Sequence, residues 1–356
     1  EKDPTYHPVV INMESLEFGF LRNYLDLNNY VKQQFKNSKT KNILLIDEVQ
    51  EIENWEKAIS SFLADGIADI IITGSNANML SSELATLLSG RYVEIPVYPL
   101  SFKEFNQFHI STDLDSQFNL FLKYGGLPGV HLFPLNDEPV YNYLNGIFNT
   151  VLLKDVVIHN KIRDVAVLEK IVLYIFDNIG NITTSKNISD YFKSQKIKIN
   201  VDTIQNYVSY LQAAFMTYKI RRYDIKGKKY LEFYDKIFLG DIGLRHGLLG
   251  FRDNDISGLL ENIVFLEFLI RGYKVSVGKY NGFEIDFIAE KYNEKIYIQV
   301  CKSLSEESTI NREFGNLEKI QDNHKKMVLS LEKFFPHNRD GIEHHYLPHF
   351  LMNSQK

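Results

Sequence analysis

The chain has 356 residues, 44% of them hydrophobic and 24% charged, an ordinary globular composition with length for two or three separate cores. No apolar run approaches the ~20 residues of a membrane span, so no membrane is expected among the partners. The single cysteine, Cys301, excludes an intrachain disulfide framework, and a reducing cytoplasm is the expected compartment. The net charge of −5 argues against a uniform coat on nucleic acid, yet eleven Lys and Arg stand against five Asp and Glu between Thr183 and Lys236. That local excess fits either a nucleic-acid contact face or a solvated helix surface.

From Val9 to about Glu94 strands and helices alternate: PVVINM, a polar-apolar stretch through Tyr30 and Phe35, NILLIDE, a helix, ADIIITG, another helix and RYVEIPV. Short apolar strands separated by helical crossovers predict a parallel sheet covered on both faces, the layout of an α/β nucleotide-binding module. After Pro99 the period becomes helical, with Phe118, Phe121 and Leu122, then Tyr143, Ile147, Phe148 and Val151, and Tyr124-Gly-Gly-Leu-Pro-Gly129 sets a turn within it. LEKIVLYIFDNIG, SKNISDYFKSQ and NVDTIQNYVSYLQAA predict three helices, the last capped by Asn200 or Asp202. MTYKIRRYD and KKYLEFYDK then predict two strands joined at Ile225-Lys226-Gly227, and three helices with a hairpin spell a winged helix. The helix LLENIVFLEFLIRG stops at Gly272 and is followed by YKVSVGKY, FEIDFIAEK, KIYIQVCKS, a helix and a strand around MVLSL. This α-β-β-β-α-β order predicts a second α/β domain.

Ile43 to Ile46 lead into Asp47-Glu48, and acids at the carboxyl edge of a buried parallel strand face the ligand side of such a sheet. In a Walker B segment the first acid holds Mg²⁺ and the second orients or deprotonates the attacking water, roles that fall to Asp47 and Glu48. Thr73-Gly74-Ser75-Asn76 at the end of the next strand offers hydroxyl and amide groups beside them, and Arg91 follows a glycine turn, where its charge can act on a phosphoryl group.

These segments, with KYGGLPGV and NTVLLKDVVIHNKIRD, resemble a large prokaryotic family of AAA-type ATPases in which an ATPase module precedes a C-terminal domain. The resemblance implies ATP and Mg²⁺ as cofactors, Asp47 and Glu48 as Walker B, Ser75 or Asn76 as sensor and Arg91 as the arginine acting on phosphate. Members open with a G-x-x-x-x-G-K-[ST] loop that cradles the phosphates, and no such run occurs here, so residues upstream of Glu1 are expected to supply it.

In the winged helix, Thr203, Gln205, Asn206 and Tyr207 would meet base edges or phosphates, and Arg221, Arg222, Lys226, Lys228 and Lys229 the DNA backbone. Winged helices also serve as protein-protein joints. Glu261, Asp286 and Gln299 resemble the PD-(D/E)xK nuclease layout, in which acids hold Mg²⁺ and a lysine activates water. Here Gln299 and Cys301 share the strand face that should carry an acid and a lysine, with Lys302 on the other face, so a nuclease fold without cleavage is expected.

The expected fold class is thus multidomain α/β. A partial P-loop AAA-type parallel sheet spans 1–100, a helical connector 101–165, a winged helix 166–238 and a restriction-endonuclease-like α/β domain 239–356. The expected function is ATP binding and hydrolysis in a DNA-associated process, the chain acting alone, as a homo-oligomer or with a partner protein. The alternatives are a non-catalytic nucleic-acid-binding or protein-docking regulator and a Mg²⁺-dependent nuclease.

Overall fold

The computed structural model describes residues 5–77, 88, 90–108, 113–231 and 235–353. The chain divides into two compact units, one of residues 1–96 with Ala213–Phe215 and one of the remainder.

The first unit is built on β1 (Tyr6–Asn12), α1 (Tyr24–Phe35), β2 (Lys41–Asp47), α2 (Trp55–Asp65) and β3 (Asp69–Ile72). The three strands form a parallel sheet in sequence order, with Ile11 beside Ile46 and Ile46 beside Ile72. Helix α1 starts at Asn23, whose side chain accepts the Leu25 and Asp26 N–H groups, and it buries Leu27, Val31 and Phe35 at four-residue spacing. These residues share a core with Ile11, Leu44, Ile46, Trp55 and Phe62.

Two expectations change here. Burial alternates along β1 and β2, and Val10 and Ile71 are exposed, so among the described residues the sheet is covered on one face rather than both. The segment RYVEIPV is not a strand: Tyr92–Val97 lie outside any sheet, with Val93, Ile95 and Val97 exposed. An alternating apolar pattern fits a pleated surface but supplies no neighbouring backbone to pair with. The helix expected between ADIIITG and this segment lies outside the described residues.

The second unit opens with helices α3 (Phe102–Phe105), α4 (Leu114–Tyr124) and α5 (Asp137–Val151), the last continued as a π-helix over Leu152–Ile158. The Gly-Gly turn after α4 is a contact point. Asp241 caps the later helix α9 (Ile242–Leu249) through Gly243 and Leu244 N–H and also accepts Gly126 N–H at 2.6 Å. Gly125 has φ +74°, and a side chain at either glycine would strike Asp241 or Leu100.

The three expected helices are α6 (Val165–Asp177), α7 (Ser185–Ser194) and α8 (Val201–Ala213). Each expected strand of the hairpin is split. β5 (Thr217–Ile220) and β8 (Asp235–Leu239) join β4 (Ile182–Thr183) in an antiparallel sheet of order β4-β8-β5. β6 (Arg222–Asp224) and β7 (Lys229–Tyr230) leave that sheet to pair with each other.

The rest of the unit comprises α10 (Ile256–Ile270), β9 (Lys274–Tyr280), β10 (Phe283–Lys291), β11 (Glu294–Cys301), α11 (Glu307–Glu318), β12 (Lys325–Ser330), β13 (Asn338–Arg339), β14 (Ile342–Tyr346) and α12 (Leu347–Met352). The eight-stranded sheet runs β13-β14-β12-β11-β10-β9-β6-β7, with β6 parallel to β9. The boundary expected at 238 is therefore crossed by strand pairing. It is also crossed by packing, because Phe238 on β8 stacks on Phe265 of α10 at 4.9 Å and meets Phe287 of β10 at 5.3 Å.

Candidate nucleotide site and a buried acid cluster

At the carboxyl end of β2, Asp47 is half-buried and accepts a hydrogen bond from the Thr73 hydroxyl just past β3. The next residue, Glu48, takes left-handed backbone angles (φ 55°, ψ 50°), which turn the chain out of the strand into a short 3₁₀ turn over Val49–Glu51. Its N–H donates to Thr73 Oγ1 at 3.3 Å. Gln50 Nε2 donates to the Glu48 carboxylate and reaches Ser75 Oγ at 3.4 Å. Two adjacent acids are thus held at one sheet edge by Thr73 and Gln50, with Ser75 beside Gln50.

Of the expected sensors, Ser75 is in this network through Gln50, and Asn76 is buried beside it in sequence. The residue that touches both acids is Thr73, which the sequence groups with them without singling it out, and no sequence signal points to Gln50. Arg91 is exposed, its N–H donating to the Leu88 carbonyl at 2.9 Å. The donor set of hard carboxylate oxygens suits Mg²⁺.

The residues expected at DNA are scattered by comparison. Gln205 and Asn206 are exposed on α8, while Thr203 and Tyr207 are half-buried. Arg221, Lys226, Lys228 and Lys229 are exposed, the last three around a turn in which Asp224 Oδ1 accepts the Lys226 and Gly227 N–H groups. Arg222 departs from its expected role, because its guanidinium lies 3.5 Å from Glu284, mostly shielded from solvent. The exposed positive charge of the segment shrinks further because Lys236 is buried.

Glu261, Asp286 and Gln299 do come together. Val300 N–H donates to Asp286 Oδ2 at 2.8 Å, and Asp286 N–H to Gln299 Oε1 at 2.7 Å, across the β10–β11 pairing. Gln299 Nε2 donates to Glu313 Oε2 on α11 at 3.0 Å. Cys301 is buried and its thiol is pushed up to about 12 by burial and the nearby carboxylates, while Lys302 is exposed after β11. Into this cluster comes a lysine that no motif pointed to. Lys236 Nζ lies 3.0 Å from Glu261 and 2.7 Å from Glu284.

Burial holds Glu261 above the ordinary carboxylate range and Asp286 well above it, and Lys236 opposes both shifts. Burial pulls Lys236 itself down, but Glu261, Asp286 and Glu284 more than offset that and leave it above the ordinary lysine value.

A parallel sheet ending in two adjacent acids is thus followed by a larger α/β unit. Residues 3–106 match an AAA domain and residues 115–255 a domain of unknown function, DUF8612. The chain is 40% identical to an uncharacterized protein of Haemophilus influenzae over 347 residues, which cover 96% of this chain and 85% of that one. It is 32% identical over 336 residues to an uncharacterized protein of Methanocaldococcus jannaschii, covering 89% and 73%. The chain belongs to the family of these proteins, an AAA-type, ATPase-like family. Among solved structures, a Walker-type ATPase of Pyrococcus abyssi aligns over 68% of this chain and 83% of that one, with 14% identity and a TM-score of 0.40. Among the described residues, no helix is long and apolar enough to cross a membrane.

Proposed function

We propose that this protein binds and hydrolyses ATP with Mg²⁺ at the carboxyl edge of β2. The observation that carries the reading is the pair of adjacent carboxylates, Asp47 and Glu48, at the end of the central strand of a parallel sheet, fixed by Thr73 and Gln50. Asp47 would hold the ion, directly or through water, and the ion when bound neutralises charge on the transferring phosphoryl oxygens. Glu48 orients the attacking water or takes its proton, and Gln50, in reach of Ser75, holds that carboxylate in place. Asn76 is the second polar group of the sensor, and Arg91 stabilises phosphoryl charge within the chain or toward a neighbouring copy. Cradling the phosphates falls to a G-x-x-x-x-G-K-[ST] segment, and none occurs within these 356 residues. The test is ATP turnover by the full-length protein. Glu48→Gln is expected to abolish it while nucleotide binding persists, and turnover equal to wild type would refute the assignment.

The second unit is read as the part that couples turnover to a macromolecule, most of all DNA. Its domains are proposed as a helical connector over 101–165, a winged helix over 166–238 and a nuclease-like domain over 239–356. Three helices with a sheet of order β4-β8-β5, its first strand lying between α6 and α7, support the winged helix, and α10-β9-β10-β11-α11-β12 supports the nuclease-like core. Arg221, Lys226, Lys228 and Lys229 supply exposed charge for DNA, with Asn206 on α8. The pairing of β6 with β9 favours a second reading, in which the hairpin is a joint within the protein rather than a reader of DNA.

A further inference from the structure

β8 belongs to the three-stranded sheet, yet it sends one charged side chain into the acid cluster of the larger sheet. Lys236 has only 4% of its side chain exposed, and its ammonium contacts Glu261 of α10 and Glu284 of β10. Asp286, two residues along β10 from Glu284, adds a third carboxylate whose field acts on it. Glu313 is tied in through Gln299 and is itself paired with Arg312, and Glu284 has Arg222 as a second cation.

A hard divalent cation asks for about six oxygen ligands at roughly 2.0–2.6 Å, most of them carboxylates, carbonyls or water. The residues present do not fit that demand. Both ends of the Gln299 amide are committed, one to the Asp286 N–H and the other to Glu313. One Asp286 oxygen accepts from Val300. Among the described residues, no group of three or more His, Cys, Asp or Glu side chains is arranged to hold a metal. A cation already stands against Glu261 and Glu284, and a dication beside a buried ammonium would meet strong repulsion at low effective dielectric.

We propose that Lys236 is the resident cation of this cluster, taking the role that the nuclease layout gives to Mg²⁺. The cluster is then a clasp. It fastens β8 to α10 and β10 through a buried ammonium held by two half-buried carboxylates, and it does so without a metal. This inference is independent of the ATPase reading, since none of its residues belongs to the β2 edge.

The experiment combines charge removal with a metal probe on the full chain. Lys236→Met is expected to lower the melting temperature by about 5–10 °C, because it leaves the half-buried Glu261 carboxylate without its counterion. Glu261→Gln should also lower it in the wild type, but in the Lys236→Met background it should recover part of the deficit by removing a charge left without its cation. Strictly additive effects would overturn the proposal, because Lys236 would then matter for packing alone. In the second arm, Mn²⁺ is titrated into wild type and Asp286→Asn by calorimetry, and the two should take up the same number of ions. A Mn²⁺ that wild type binds and Asp286→Asn does not would overturn it too, and this arm decides the matter even where Lys236→Met does not fold.

Discussion

Gly126→Ala tests how the turn after α4 is built. A Cβ on Gly126 would lie well inside van der Waals range of the Leu100 carbonyl oxygen, 3.2 Å from Leu100 N and 3.3 Å from Leu100 C. These are backbone atoms that cannot swing aside. The Leu100 N–H also donates to the Gly126 carbonyl at 2.7 Å, and Gly126 N–H donates to buried Asp241, so any retreat of the chain lengthens one bond or the other. Overpacking of this kind costs about 1–3 kcal/mol, and a weakened buried hydrogen bond adds about 1 kcal/mol. At roughly 2–4 °C per kcal/mol for a unit of this size, the melting temperature should fall by about 5–15 °C. Gly146→Ala is the matched control. Gly146 lies inside α5 with nothing within 4 Å of an added Cβ, so alanine should stabilise the helix by up to ~1 kcal/mol. Thermal unfolding followed by circular dichroism reads both variants. A Gly126→Ala protein melting within about 2 °C of wild type would refute the account of the turn.

Thr73→Val removes the hydroxyl donated to Asp47 and is expected to weaken Mg²⁺-dependent ATP turnover by about 10-fold or more, so an unchanged rate would separate Thr73 from the site. Replacing Lys226, Lys228 and Lys229 together by alanine should weaken DNA binding and reduce its salt slope by about 0.9 for each phosphate no longer neutralised; if wild type has no DNA affinity at low salt, the hairpin is a joint. Asp241 is fully buried, and burial pushes it up to about 6 against three backbone N–H donors. Since the unfolded value is about 3.9, its contribution is fully present below about pH 4 and is lost as pH rises through about 6, amounting to about 3 kcal/mol. Melting curves of wild type should therefore fall relative to Asp241→Asn between about pH 4 and 7, and parallel pH profiles would contradict this. Supercoiled DNA incubated with the protein in Mg²⁺ or Mn²⁺ should stay uncut, and nicking abolished by Asp286→Ala would reverse the reading of the C-terminal cluster.

Much of this architecture is written locally. The apolar runs of β1, β2 and β3 and the spacing of Leu27, Val31 and Phe35 announce their elements because side-chain period and backbone period coincide. The place of Asp47 and Glu48 is legible for the same reason, since the apolar run of β2 ends at Asp47 and the chain turns at Glu48. Gly272 marks the end of α10, its N–H donating to the Leu269 carbonyl with φ +80°. The resemblance to an AAA-type family rests on such short segments, and the match to an AAA domain over residues 3–106 agrees with it.

What the sequence could not carry is the choice of partner. MTYKIRRYD and KKYLEFYDK read as one hairpin, but only the assembled sheet could assign β5 and β8 to one set of neighbours and β6 to β9. RYVEIPV has the composition of a strand, yet pairing requires an edge at hydrogen-bonding distance, which no local pattern encodes. Thr73 lies 26 residues from Asp47 along the chain and Lys236 25 residues from Glu261, so neither pairing leaves a motif at short spacing. By sequence Lys236 is one more charge in a basic segment. Tertiary structure made it interior, because burying an ammonium is tolerable only where carboxylates from α10 and β10 converge on it.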